Sequence, residues 1–339
     1  MRSHLKSMKH LSDVPNPLPH VHIITTGGTI AATPSGMLTP DGLLSTIPDL
    51  DTLASVTVEP FLDTGSSWIT PAHWLQLATR ITELWQTHPA LSGIVITHGT
   101  DTLEETAYFL QLTCQGERPI VLTGAMRVAR ALSADGPANL RAAIAVAAAE
   151  SARGQGTLAV LNNEIHAARY ATKGHTLRVD AFTLHRDALL GTIYEDELTW
   201  LRRLPTATQE QFALSAITTL PRVDILYSYA GADGELLTAA VAAGAMGLVI
   251  ATMGGGRLSE AQIHAVQTLL AQKVVIVLSS RVSSGPVEEN YQDNLAPSAD
   301  VHGVILAGDL NPQKARVLLQ LALTRTQDPQ IIQTIFRQN

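Results

Sequence analysis

The 339-residue chain contains a single cysteine, Cys114. An intrachain disulfide and a cysteine-rich zinc site are both excluded, and nothing marks an oxidising compartment. Basic character is scarce as well. With 23 Lys and Arg against 30 Asp and Glu, the formal charge is −7 and no basic run appears. Nucleic acid, whose phosphates call for clustered cations, is excluded as a partner. No window approaches the roughly 18 uninterrupted apolar residues of a membrane span, so no membrane is expected either. The 12 histidines include no H-E-x-x-H, and neither a metal nor a cofactor is expected. No internal repeat of fixed period occurs, and the alanine-rich segments read as helix.

The first 20 residues hold Lys6, Lys9, Pro15, Pro17 and Pro19 but no apolar core of signal-peptide length. They read as a flexible tail, and the protein as cytoplasmic; a chain whose export signal had been removed would look the same and be periplasmic.

What is present suits a soluble α/β enzyme: 45% hydrophobic and 16% charged residues, in a length that exceeds a usual single core. The apolar run that starts at Val21 and stops at Gly27, and further runs at 56–62, 94–97, 120–123 and 158–161, alternate with helical patterns that open at Pro71, that end near Thr113, and that span 137–152. That alternation predicts βαβ units and a mostly parallel, doubly wound sheet. Residues 166–190 are less regular. Residues 202–220 lack a sustained period and read as a linker between a larger domain at 21–201 and a smaller α/β domain at 221–339. In the latter, strands at 223–227, 247–251 and 274–278 alternate with helices at 235–243 and 259–272. Thr70-Pro71, Asn311-Pro312 and Asp328-Pro329 read as N-cap and first-turn pairs of helices.

Two strand ends carry chemistry. In V-H-I-I-T-T-G-G-T-I-A-A (21–32) an apolar strand breaks at Gly27 and Gly28 and delivers Thr29. Two glycines permit a sharp turn and close approach to a ligand, and the carboxyl edge of an open α/β sheet is where ligands bind. Thr29 is thus a candidate nucleophile, although the stretch alone reads equally as an ordinary tight turn. G-x-G-x-x-G fails, because Thr29 and Ala32 occupy the second and third glycine positions. In G-I-V-I-T-H-G-T-D-T-L (93–103) a second strand breaks at Gly99 into Thr100 and Asp101. Asp101-x-x-Glu104 and Thr102-x-x-Glu105 each have the form of a capping box.

T-G-G-T-I-A together with T-H-G-T-D-T-L resembles the two signatures of the bacterial-type L-asparaginases, the asparaginase/glutaminase family, closest to type II-like members. The likeness runs on through T-G-A-M-R (123–127), S-A-D-G-P-x-N-L (133–140), S-S-R-V (279–282) and L-N-P-Q-K-A-R-V-L-L (310–319). It implies hydrolysis of the side-chain amide of L-asparagine to L-aspartate and ammonia, with glutaminase activity as a possible accompaniment. By resemblance Thr29 is the nucleophile, and Thr100, Asp101 and Lys173 form a second cluster in which Lys173 is either a neutral acceptor or an orienting charge. Asp101 also holds the substrate α-amino group and Ser66 its α-carboxylate. Ser67 stands where Gln or Glu is common, which leaves the preference between asparagine and glutamine open. The backbone around Gly99 and Ala125 is a candidate oxyanion or carboxamide contact.

The segment after the nucleophile, 33–42, is rich in proline, glycine and hydroxyls and reads as a mobile lid. The tyrosine that many family members carry there is missing, with Met37 near its place. Arg257 in M-G-G-G-R stands where Asn is common in secreted members. Glu288 or Glu289 matches an acidic residue contributed across a subunit interface. The resemblance implies a homotetramer built from dimers. Two other readings stay open: a broad-specificity glutaminase-asparaginase, and an inactive amino-acid-binding protein on the same fold.

Overall fold

The computed structural model describes residues 17–33, 36–114, 116–182, 188–204, 212–287 and 303–339. The first half carries β1 (His20–Thr25), a two-stranded hairpin of β2 (Ala32–Thr33) and β3 (Gly36–Met37), and short helices α1 (Pro40–Leu44) and α2 (Leu50–Leu53). Then come β4 (Ser55–Pro60), α3 (Pro71–Thr87), β5 (Leu91–Thr97), α4 (Leu103–Thr113), β6 (Ile120–Thr123), α5 (Gly136–Ala148), β7 (Thr157–Leu161), β8 (Glu164–Ala167), β9 (Leu189–Tyr194) and β10 (Glu197–Trp200). The second half carries β11 (Val223–Tyr227), α6 (Glu235–Ala242), β12 (Gly247–Thr252), α7 (Glu260–Ala271), β13 (Val275–Ser280), β14 (Ile305–Leu306), α8 (Pro312–Leu323) and α9 (Pro329–Gln338). Among the described residues no helix is long and apolar enough to cross a membrane.

One eight-stranded sheet has the order β10-β9-β8-β7-β6-β5-β1-β4, and a four-stranded sheet the order β11-β12-β13-β14. In the large sheet β4, β1, β5, β6 and β7 are parallel, while β8, β9 and β10 are antiparallel additions at one side. The apolar runs of β5 and β6 are buried almost throughout, as parallel strands covered on both faces must be. Strand order reverses at β1, whose neighbours β4 and β5 follow it on opposite sides. A reversal of this kind opens a crevice at the carboxyl ends.

The two halves share a wall. Nearly every residue of α4 and of α8 is buried, and one apolar cluster runs from Leu103, Phe109 and Leu110 to Val317, Leu318 and Leu321. Each fully buried aliphatic or aromatic side chain there contributes about 1.5–3 kcal/mol.

Several expectations change. Residues 166–190 contain the ends of two strands, β8 and β9, which join β10 in an antiparallel ladder. The helix expected over 137–152 ends at Ala148 and is followed by a separate 3₁₀ turn at Glu150–Ala152. Within 202–220, Phe212 is fully buried and its N–H donates to the Leu112 carbonyl at 2.9 Å, while residues 205–211 lie outside the described residues. The expected tail at 1–20 falls largely outside the described residues, and β1 begins at His20.

Candidate active site

Three loops leave the carboxyl ends of β4, β1 and β5 and pack on one another. Gly27 and Gly28 take φ values of +91° and +84°, a left-handed conformation natural to glycine. Thr29 follows, half-buried, in a turn that the Ala31 N–H closes by donating to the Gly28 carbonyl at 3.2 Å. A Cβ on Gly28 would lie 2.6 Å from the Gly99 nitrogen, and one on Gly99 would lie 2.7 Å from Ser66 Oγ. The double-glycine turn, the Gly99 turn and the Ser66 turn are therefore in direct contact. Thr26 ties the first two together, donating from its N–H (3.1 Å) and its hydroxyl (2.8 Å) to the Thr97 carbonyl.

Lys173 reaches this cluster from a distant stretch of chain, the connection between β8 and β9. Its Nζ donates to Thr100 Oγ1 at 2.9 Å and to Asp101 Oδ1 at 2.6 Å. The lysine side chain is 17% exposed and the aspartate 68%, so the amine is sheltered while the carboxylate opens toward solvent. Because Thr100 Oγ1 accepts from Lys173, its own hydrogen is directed to another acceptor. Ser66 is buried, and the Thr102 hydroxyl donates to its carbonyl at 2.8 Å. Ser67 is exposed, and Ala125 is buried beside the Gly124 turn.

Neither capping box forms. The N-cap of α4 is Thr102, but its hydroxyl is committed to Ser66, and Glu104 is bonded elsewhere. The Glu104 carboxylate accepts the Lys173 N–H at 2.7 Å and Asn311 Nδ2 at 2.9 Å. Tertiary partners outcompete the local cap. Glu105 is held near Arg316 at 3.6 Å, yet burial outweighs that guanidinium and pushes its carboxyl up to about 7.

Residues that sequence reasoning passed over support these loops. His98 is fully buried, and since a carbonyl can only accept, its Nδ1 is the donor to the Gly99 carbonyl at 2.7 Å. Its Nε2 then accepts from Thr106 Oγ1 (2.9 Å), which accepts from Trp74 Nε1 (2.9 Å). Burial holds the imidazole neutral, down to about 4. On the β6 side, the Asp135 carboxylate accepts the N–H groups of Met126 and Arg127, both at 2.9 Å, and Asn139 Nδ2 donates to the Gly124 carbonyl at 2.9 Å. The S-A-D-G-P-x-N-L stretch thus braces T-G-A-M-R. Its signal was an aspartate and an asparagine one helical turn apart.

In place of a loop, 33–42 contains part of the β2–β3 hairpin, with Ala32 paired to Met37, and the start of α1, capped by Thr39 Oγ1 accepting from the Gly42 N–H at 3.1 Å. The side chains of 32–37, Thr33 and Met37 among them, lie outside the described residues, as do Ser35, Glu288 and Glu289. Arg257 pairs through its backbone with Met253, its N–H donating at 2.8 Å.

A doubly wound sheet whose switch-point crevice gathers a lysine amine bonded to a threonine and an aspartate has the form of an α/β enzyme site. Comparison with known proteins narrows it. Residues 20–206 match the family described as "Asparaginase, N-terminal", and residues 222–336 match "Glutaminase/Asparaginase C-terminal domain". The chain is 41% identical over 336 residues to L-asparaginase 2 of Bacillus subtilis, covering 95% of this chain and 87% of that one. It is 39% identical over 330 residues to a probable periplasmic L-asparaginase of Haemophilus influenzae, covering 94% and 93%. The crystal structure of a probable cytoplasmic L-asparaginase from Campylobacter jejuni superposes with a TM-score of 0.85 at 38% identity, covering 95% of this chain and 100% of that one. The chain belongs to the asparaginase family, and it is an amidohydrolase.

Proposed function

We propose that the protein hydrolyses the side-chain amide of L-asparagine to L-aspartate and ammonia, with Thr29 as nucleophile. The observation that carries this reading is Lys173 Nζ held between Thr100 Oγ1 and Asp101 Oδ1, on the loop that packs against the Gly27–Gly28 turn. Thr29 Oγ1 adds to the amide carbon, and the oxyanion is met by backbone N–H groups around Gly99 and Ala125. The proton given up by the Thr29 hydroxyl passes to the amide nitrogen, which leaves as ammonia, and an ester remains on Thr29. A water directed by Thr100 and Lys173 then hydrolyses it and releases aspartate. Asp101, with its exposed carboxylate, receives the substrate α-amino group, and Ser66 its α-carboxylate.

Ser67 favours a second activity. A short, exposed hydroxyl at that position leaves room for one more methylene, so glutamine is turned over as well, more slowly. The test is ammonia release from asparagine and glutamine side by side. Release from asparagine supports the reading; faster release from glutamine reassigns the substrate; saturable binding of either without ammonia makes the protein a binding protein on this fold.

The same reading makes the protein a homotetramer built from dimers. Trp68 and Leu177, close in sequence to Ser66 and Lys173, are 74% and 79% exposed, and a second copy packed there would bury them. Sedimentation or light scattering giving an active monomer would contradict it. The location read here is cytoplasmic, with periplasmic as the alternative, and cell fractionation distinguishes the two.

A further inference from the structure

The chain that carries Lys173 has little secondary structure of its own. Residues 171–175 belong to neither helix nor strand, so their main-chain groups need partners from elsewhere. The Ala171 N–H donates to the Ala167 carbonyl at 2.8 Å and the Gly174 N–H to the Ala181 carbonyl at 2.7 Å, and the remaining hold comes from two helices in different halves of the molecule. From α4, Glu104 Oε2 accepts the Lys173 N–H at 2.7 Å, and Oε1 accepts Asn311 Nδ2 at 2.9 Å. From α8, Lys314 Nζ donates to the Ala171 carbonyl at 2.5 Å and to Thr172 Oγ1 at 3.2 Å, and Asn311 Nδ2 reaches Thr172 Oγ1 at 3.3 Å. Asn311 is itself fixed, because its Oδ1 caps α8 by accepting the Lys314 N–H at 2.9 Å.

Glu104 and Lys314 are 5% and 2% exposed. Two charged side chains are rarely kept so far from water without a role. Burial lowers the Lys314 amine to about 8, and Glu104 opposes that shift. Glu104 also lies three residues beyond Asp101. The segment that leads into α4 therefore grips Lys173 at both ends, by its main-chain N–H and by its Nζ.

We propose that Glu104, Asn311 and Lys314 are positioning residues that hold the main chain at 171–173 and thereby aim Lys173 Nζ at Thr100 and Asp101. A lysine side chain has four rotatable bonds and much rotamer entropy to lose, so a fixed base is the condition for a fixed tip. The C-terminal half acts on the reacting cluster through this brace. The inference rests on the assignment of Lys173 to that cluster.

The test compares Glu104→Gln, Asn311→Asp and the double swap, with kcat expressed per aspartate-binding site measured by calorimetry. Each single variant disturbs the Glu104–Asn311 bridge. The swap restores it, since the glutamine introduced at position 104 can donate to the aspartate introduced at position 311 while still accepting from Lys173, and that aspartate still caps α8. Each single variant is expected to lower kcat by about 10- to 100-fold with little change in KM, the effect of a reacting group misplaced by about 1 Å. The swap is expected to recover most of that loss. Thr172→Val, isosteric and tolerated if the charged variants fail to fold, is expected to lower kcat by about 3- to 10-fold. Unchanged kcat per site in all of these, with only the melting temperature reduced, overturns the proposal; so does a swap no better than its parents. Lys173→Met separates the levels. If it keeps full activity, the assignment of Lys173 falls and this inference with it; if it is inactive while Glu104→Gln is not, only the inference falls.

Discussion

At the carboxyl end of the four-stranded sheet, Ser228 Oγ donates to Gln262 Oε1 at 2.6 Å, Thr252 Oγ1 to the Ser279 carbonyl at 2.5 Å, Ser279 Oγ to the Leu310 carbonyl at 2.7 Å and Ser280 Oγ to the Gly254 carbonyl at 2.7 Å. At the carboxyl end of the eight-stranded sheet, Thr100 Oγ1 is an acceptor from an amine, and the carboxylate beside it is mostly exposed. Both ends have parallel strands, buried hydroxyls and glycine turns. In the smaller sheet the hydroxyl protons are committed to neighbouring oxygens. In the larger one, a lysine leaves a hydroxyl proton and a carboxylate edge available. Topology supplies the crevice, and saturation of the polar groups decides whether it can react.

The strongest way to break this comparison is Thr29→Ala. Removal of the nucleophile is expected to lower kcat by at least about three orders of magnitude while aspartate still binds. A variant within about tenfold of the wild type would return the reactive end to the status of the quiet one. Next in size are Thr100→Val, Asp101→Ala and Lys173→Met. Each should remove most activity, and pairs among them should cost far less than the product of the single losses, because the groups act as a unit. Multiplicative losses in steady-state kinetics would mean separate roles.

His98 sharpens the comparison through pH. Buried, it stays neutral down to about 4, whereas in the unfolded chain it protonates near the ordinary histidine value of 6.5. Between those values the unfolded state holds the extra proton, so stability falls as pH drops from 6.5 to 4, by about 3 kcal/mol for this group. In urea titrations, His98→Gln is expected to be less stable at neutral pH and to lack this part of the acid slope. Parallel curves for the two proteins would show that His98 is not held neutral. The smallest effect is expected at the quiet end. Thr252→Val removes the hydroxyl donor to the Ser279 carbonyl and should cost about 0.5–1.5 kcal/mol of stability with kcat unchanged. A loss of kcat there would show that the smaller sheet also serves the chemistry.

Much of this was legible in the chain because it is written locally. The runs at 120–123 and 223–227 form strands over those residues, and Asn311 and Asp328 accept from N–H groups of the helices they open, at 2.9 and 2.8 Å. Thr29, Thr100 and Asp101 stand out as candidates because glycine after an apolar run marks a strand end wherever the rest of the chain lies. What was missed is non-local. β8 to β10 are short, and β8 and β9 are separated by the Lys173 loop, so no window shows their pairing. Glu104 satisfies a capping rule in sequence, but its partners are 69 and 207 residues away. Asp135 and Asn139 brace a turn made by residues that precede them, which only the folded β6 end reveals.

The wall formed by α4 and α8 bears on how the molecule comes apart. Since both helices are buried almost all round, neither half can close its own apolar surface when the other melts. Calorimetry should show one cooperative transition for the two sequence-defined halves, and a fragment ending near residue 206 would expose its side of the wall and aggregate. Chain synthesis runs from the first half to the second, so the half that carries Thr29, Thr100 and Lys173 waits, incomplete, for α8 to emerge.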